Sequence, residues 1–71
     1  MEDKETLKKF GAHLKELRET KGLSLRQLSY NCNVDFSNIG QMEKGLINPT
    51  LLTIIDLAKG LEISQIELMN F

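Results

Sequence analysis

Apolar residues recur along the chain at helical spacing, and no stretch alternates polar and apolar residues for long enough to predict a strand. Leu7, Phe10, Leu14 and Leu17 share one stripe of a helix running from about Lys4 to Lys21. Lys21 suits the negative end of its dipole, and Gly22 suits the residue that leaves it. Ser24-Leu25-Arg26-Gln27 has the form of a capping box, which predicts a second, short helix ending near Asn31–Asn33. Asn33 tolerates the left-handed conformation that such an ending needs. Asp35 caps a third helix, with Ile39 and Met42 facing inward and Gly45 closing it. Asn48-Pro49-Thr50 opens a fourth. Its Leu51, Leu52, Ile54, Ile55, Leu57, Ala58 and Leu61 are apolar nearly all round, which predicts the buried helix. A second capping box, Ser64-Gln65-Ile66-Glu67, opens a fifth helix expected to reach Phe71.

A chain of 71 residues is read as one domain, residues 1–71, and buries only about 60% of the surface it exposes when unfolded. That leaves no room for a lid or a large pocket. The single cysteine, Cys32, permits no internal disulfide and is expected as a small core residue. His13 has no second ligand at metal spacing, so no metal or cofactor is expected. No nucleophile–base pair or phosphate-cradling glycine loop is evident, and the chain is not expected to be an enzyme. The acidic start, Met1-Glu2-Asp3-Lys4-Glu5, does not resemble a signal peptide. The longest apolar stretch, Leu51–Ala58, is interrupted by Thr53 and Asp56, so no membrane helix is expected and the cytosol is the expected compartment. The net charge is −1, but its distribution is uneven: residues 1–45 hold eight Lys/Arg against seven Asp/Glu, and residues 46–71 hold one against three. Cationic capacity is therefore concentrated in the first two thirds.

The stretch from Ser24 to Gly45 contains two short helices joined by a tight turn, the arrangement of a helix-turn-helix over about residues 24–45. Its second helix is the one that would enter a major groove. The wider pattern comprises Leu14-Lys15-Glu16-Leu17-Arg18 before Gly22-Leu23-Ser24, Leu28-Ser29, Val34, Ile39 with Met42-Glu43-Lys44-Gly45, Asn48-Pro49-Thr50, Leu57-Ala58-Lys59-Gly60-Leu61, and Ile63-Ser64 before Glu67-Leu68. In order and spacing it resembles the lambda-repressor-like (Cro/cI-type, or XRE) helix-turn-helix proteins from about Leu7 to Met69. The resemblance implies an all-α, compact five-helix DNA-binding domain that binds operator DNA as a homodimer and regulates transcription. It also places Arg18 and Glu43 at positions that pair with each other, tying helix 1 to helix 3 and turning Arg18 toward a phosphate. The chain departs from the family at Leu25, where many members carry a phosphate-binding Gln, at Ser29, and at Asn33, the usual turn glycine. It also departs in a third helix that lacks Arg and opens on Phe36.

Phe36, Ser37, Gly40 and Gln41 form the outer strip expected to read base edges, and Gln41 is the leading residue because its amide can pair with adenine N6 and N7. Phe36 would contact a thymine methyl or fold back onto the core. Gly40 would serve a close approach to DNA or tight packing on helix 2. Arg18, Ser24, Arg26, Asn38, Lys44 and Asn48 are the expected phosphate contacts, together with the N–H groups opening helices 2 and 4. Ile63, Ile66, Met69 and Phe71 are the expected dimer interface. On a fifth helix, Ile66 and Met69 would face one way and Leu68 and Phe71 another, so one face needs a partner. The alternative function is a protein-interaction module with the same fold, of antirepressor or toxin-partner type. The net negative charge, Leu25 and Phe36 favour it.

Overall fold

The computed structural model describes residues 3–71, so the acidic start read at Met1 and Glu2 lies outside the described residues. Five helices follow one another: α1 (Asp3–Thr20), α2 (Leu25–Cys32), α3 (Phe36–Glu43), α4 (Leu51–Leu61) and α5 (Gln65–Leu68). None is long and apolar enough to cross a membrane. The core combines Phe10 and Leu14 of α1, Leu28 and Cys32 of α2, Ile39 and Met42 of α3, Leu57, Ala58 and Leu61 of α4, and Leu68 of α5. Leu14, Leu28, Ile39, Leu57, Leu61 and Leu68 are fully buried.

The helix ends form where the capping chemistry puts them. Gly22, at φ +72, carries the chain out of α1, and the Leu23 N–H donates to the Arg18 carbonyl at 3.1 Å. Ser24 makes both bonds of its box: Ser24 Oγ accepts from the Gln27 N–H at 3.1 Å, and Gln27 Oε1 accepts from the Ser24 N–H at 2.8 Å. Asn33 ends α2 in the left-handed region at φ 63. Asp35 caps α3 and Thr50 caps α4.

Two close approaches set how the helices cross. A Cβ on Gly11 would stand 2.3 Å from the Met42 carbonyl oxygen, so α1 rests directly on the last turn of α3. A Cβ on Gly60 would stand 2.6 Å from Cys32 Cβ, so the last turn of α4 lies against the end of α2. That crossing corrects the expectation of a wholly buried α4. Leu57, Ala58 and Leu61 are buried, whereas Leu51 and Leu52 in its first turn are 74% and 71% exposed. Ile54 packs half-buried against the core, and burial deepens toward the C-terminal half of α4.

The fifth helix is also shorter than its sequence suggests. It ends at Leu68, and Met69 is its cap rather than part of a second turn. His13 Nε2–H donates to the Glu67 carbonyl at 2.8 Å, taking an acceptor that a longer helix would have used. The chain then turns and sets Phe71 edge-on against Phe10, with ring centroids 5.7 Å apart.

Candidate nucleic-acid interface

α3 has two unlike faces. Ile39 and Met42 are buried, and Phe36, Ser37, Asn38, Gln41 and Lys44 are exposed. The helix is fixed from behind by Arg18. Its Nε donates to Glu43 Oε2 at 2.7 Å, Nη2 donates to Glu43 Oε1 at 3.2 Å, and Nη1 donates to the Leu23 carbonyl at 2.7 Å. The two side chains are only 11% and 7% exposed. The hydrogen bond to Glu43 holds the guanidinium more strongly protonated than usual. One side chain thus joins α1, the entry to α2 and the end of α3. This placement limits Arg18 as a phosphate contact, since three hydrogen bonds already hold it inside the protein.

The outer strip is arranged more specifically than residue type alone implied. Asp35 accepts from the Ser37 N–H at 3.2 Å and also from the Ser37 hydroxyl. The hydroxyl proton is directed at Asp35, which leaves the oxygen's lone pairs facing outward as acceptors. Gly40 is half-buried, and a Cβ there would meet only Leu25 Cδ1 at 3.6 Å, an ordinary contact. Tight packing on α2 therefore does not require glycine at this position. Phe36 is 37% exposed and does not fold into the core. The Arg26 guanidinium lies over it, 4.5 Å from the ring centroid. Sequence reasoning missed this stack. Its only sequence signal is a cation opening one helix and an aromatic ring opening the next.

The expected phosphate contacts do not form one cluster. Ser24 and Arg26 open α2 and are exposed, as are Asn38 on α3 and Lys44 at its C-terminal cap. Asn48 is exposed in the loop before α4, where it lines a shallow cleft with Asp3, Thr6 and Leu7 of α1. The residues expected at a dimer interface divide in the same way. Ile63 is half-buried against the core, Ile66 is 83% exposed, and Met69 and Phe71 are about half exposed. Met69 and Phe71 line an apolar cleft of about 160 Å³ with Phe10, Ile54 and Pro49. Leu68, expected on the same face as Phe71, is instead fully buried, because the chain turns between them.

Residues 9–70 match the family described as the helix-turn-helix domain. Among characterised folds, the chain is similar to the restriction-modification controller protein C.AhdI from Aeromonas hydrophila. The two are 44% identical with a TM-score of 0.85, over 87% of this chain and 94% of that one. It is also similar to an HTH_3 family transcriptional regulator from Vibrio cholerae, at 33% identity and a TM-score of 0.89, over 93% of this chain but 37% of that longer one. The HTH-type transcriptional regulator y4dJ of Sinorhizobium fredii is 31% identical over 60 residues, 84% of this chain and 78% of the relative. An exposed, capped α3 in a five-helix bundle, with these relatives, leads to one conclusion: the chain belongs to the XRE-like helix-turn-helix family of DNA-binding transcriptional regulators.

Proposed function

We propose that the protein binds operator DNA as a homodimer, with α3 of each protomer in a major groove, and that it acts as a restriction-modification controller. The outward face of α3 carries this reading. Phe36, Ser37, Gly40 and Gln41 stand along one strip with no core role, while Ile39 and Met42 hold the opposite side of the same two-turn helix. Gln41 pairs with an adenine edge. Ser37, as an acceptor, takes a hydrogen from an exocyclic amine of cytosine or adenine. Lys44, Asn38, Asn48 and the start of α2 at Ser24 meet the phosphate backbone and set the register. The 44% identity to C.AhdI over nearly the whole of both chains supports the controller role.

Ile66, Met69 and Phe71, with Ile63 at the rim, supply the contact between protomers. These exposed apolar side chains close the chain, and a two-fold contact there sets two recognition helices about 34 Å apart, the spacing of successive major grooves. Selection of bound sites from random duplex DNA tests the reading. It should return a palindrome whose half-sites are one helical turn apart, and Gln41→Ala should lose about 1–3 kcal/mol on that site and its preference at one base pair. No enriched sequence, or an unchanged preference in the variant, would contradict it.

A further inference from the structure

Arg26 and Phe36 come from different helices and meet on the exposed side of the helix-turn-helix, the guanidinium carbon 4.5 Å from the ring centroid. Phe36 is the first residue of α3. The guanidinium carbon sits over the ring, and among the described residues no hydrogen bond takes its five N–H donors, which leaves them for a partner outside the chain. It also restrains a long side chain before any ligand arrives, so less freedom is lost on binding. A phosphate contact needs only a charge within reach of the backbone. A cation held beside an aromatic ring at the head of a recognition helix is placed for something more directional.

Leu25 adds to this. It lies in the seam between α2 and α3, with its Cδ1 3.6 Å from where a Gly40 side chain would begin. The head of α3 therefore offers apolar surface and a planar donor edge side by side. Successive bases on one strand rise by about 3.4 Å, comparable with the separation of ring and guanidinium. Resting on the reading that α3 enters the major groove, we infer that Arg26 and Phe36 act together as the reader of a 5-methylpyrimidine–guanine step. Phe36 packs on the C5 methyl group, and Arg26 donates two hydrogen bonds to O6 and N7 of the guanine that follows. Thymine and 5-methylcytosine present the same methyl group, so the pair reads the step through either base.

The test uses the full chain and operators selected from random duplex DNA. Each half-site should contain thymine followed by guanine at a fixed position. Deoxyuridine in place of that thymine removes only the methyl group and should weaken binding about fourfold per half-site. At the same position, 5-methylcytosine should bind more tightly than cytosine by a similar factor, and equal binding of those two would restrict the reader to thymine. Arg26→Gln, checked for an unchanged thermal melt, should lose about 5- to 150-fold on this site and little on a site whose guanine has been replaced. Equal binding of thymine and deoxyuridine sites, with Arg26→Gln weakening every sequence alike and reducing the salt dependence, would make Arg26 a phosphate contact and overturn the inference while leaving α3 in the groove. Binding that is insensitive to salt and to sequence would overturn the groove reading itself.

Discussion

Gly40 and Gly11 are both helical glycines, and the space around each gives them opposite meanings. At Gly11 an added methyl group would collide with the carbonyls of Met42 and Glu43, which are backbone atoms that cannot step aside. Gly11→Ala should therefore force α1 off α3 and cost at least about 1–3 kcal/mol in a urea melt. At Gly40 only a leucine methyl lies nearby. Gly40→Ala should stabilise the fold by up to about 1 kcal/mol through helix propensity, and on the proposed placement of α3 it should weaken operator binding by adding a methyl group to the face that approaches DNA. A variant that is more stable and binds normally would remove Gly40 from the interface. Cys32 gives a pH test. Burial raises its thiol pKa above the ordinary 9.0, opposed by a hydrogen bond from the Val34 backbone and helped by the charge of Asp56. The unfolded thiol ionises first, so its contribution to stability is complete below about pH 9 and declines as pH rises toward the folded pKa. Urea melts from about pH 8 to pH 10 should show a decline that Cys32→Ala lacks, and parallel curves would show that the buried thiol does not carry it.

The elements were legible from sequence where a residue type has one conformational use. Ser24, Asp35, Gly22 and Gly45 mark helix ends because hydroxyl and carboxylate caps, and residues at positive φ, are chemically specific. The end of α4 was not legible. Glu62 adopts the left-handed region at φ 59, and nothing about glutamate announces that. The extent of α5 was hidden for another reason: the Glu67 carbonyl accepts from the Asn70 N–H in a tighter turn and from His13, 54 residues earlier, contacts that apolar spacing does not announce. Apolar periodicity also overstated the burial of α4, since a pattern shows which faces are greasy and not where a partner helix stops. The exposure of Gln41 on α3 and the Arg18–Glu43 pair were readable, whereas the Arg26–Phe36 stack arises only when two helix ends meet, and the Ser37–Asp35 bond depends on a rotamer that residue type does not fix. The Arg18–Glu43 pair carries its own prediction. Removing one partner strands a charge that is nearly shielded from water, so Glu43→Ala should cost about 3–5 kcal/mol. A double-mutant cycle with Arg18→Ala should show strong coupling. Additive effects would mean that the two side chains do not depend on each other.

In the proposed function, one helix face of the molecule meets DNA and its last residues meet a second copy. Large apolar side chains are exposed at Ile66, Met69 and Phe71, at Leu51 and Leu52 in the first turn of α4, and also at Tyr30, Phe36 and Leu46. Sedimentation of Met69→Asp and Phe71→Asp should give a lower mass than wild type at micromolar concentration, and the variants should lose cooperativity in operator binding. A monomeric wild type, or an unchanged mass in both variants, would reject the C-terminal contact. The central claim concerns the other face: α3 lies in the groove and Lys44 beside it meets a phosphate. The most direct measurement is operator affinity as a function of salt, for wild type and Lys44→Ala. A dimer that places Lys44 on the backbone twice should show log affinity falling linearly with log salt, with a slope that Lys44→Ala makes shallower by about two. Affinity that does not change with salt in either protein would contradict the account and support an apolar protein partner in its place.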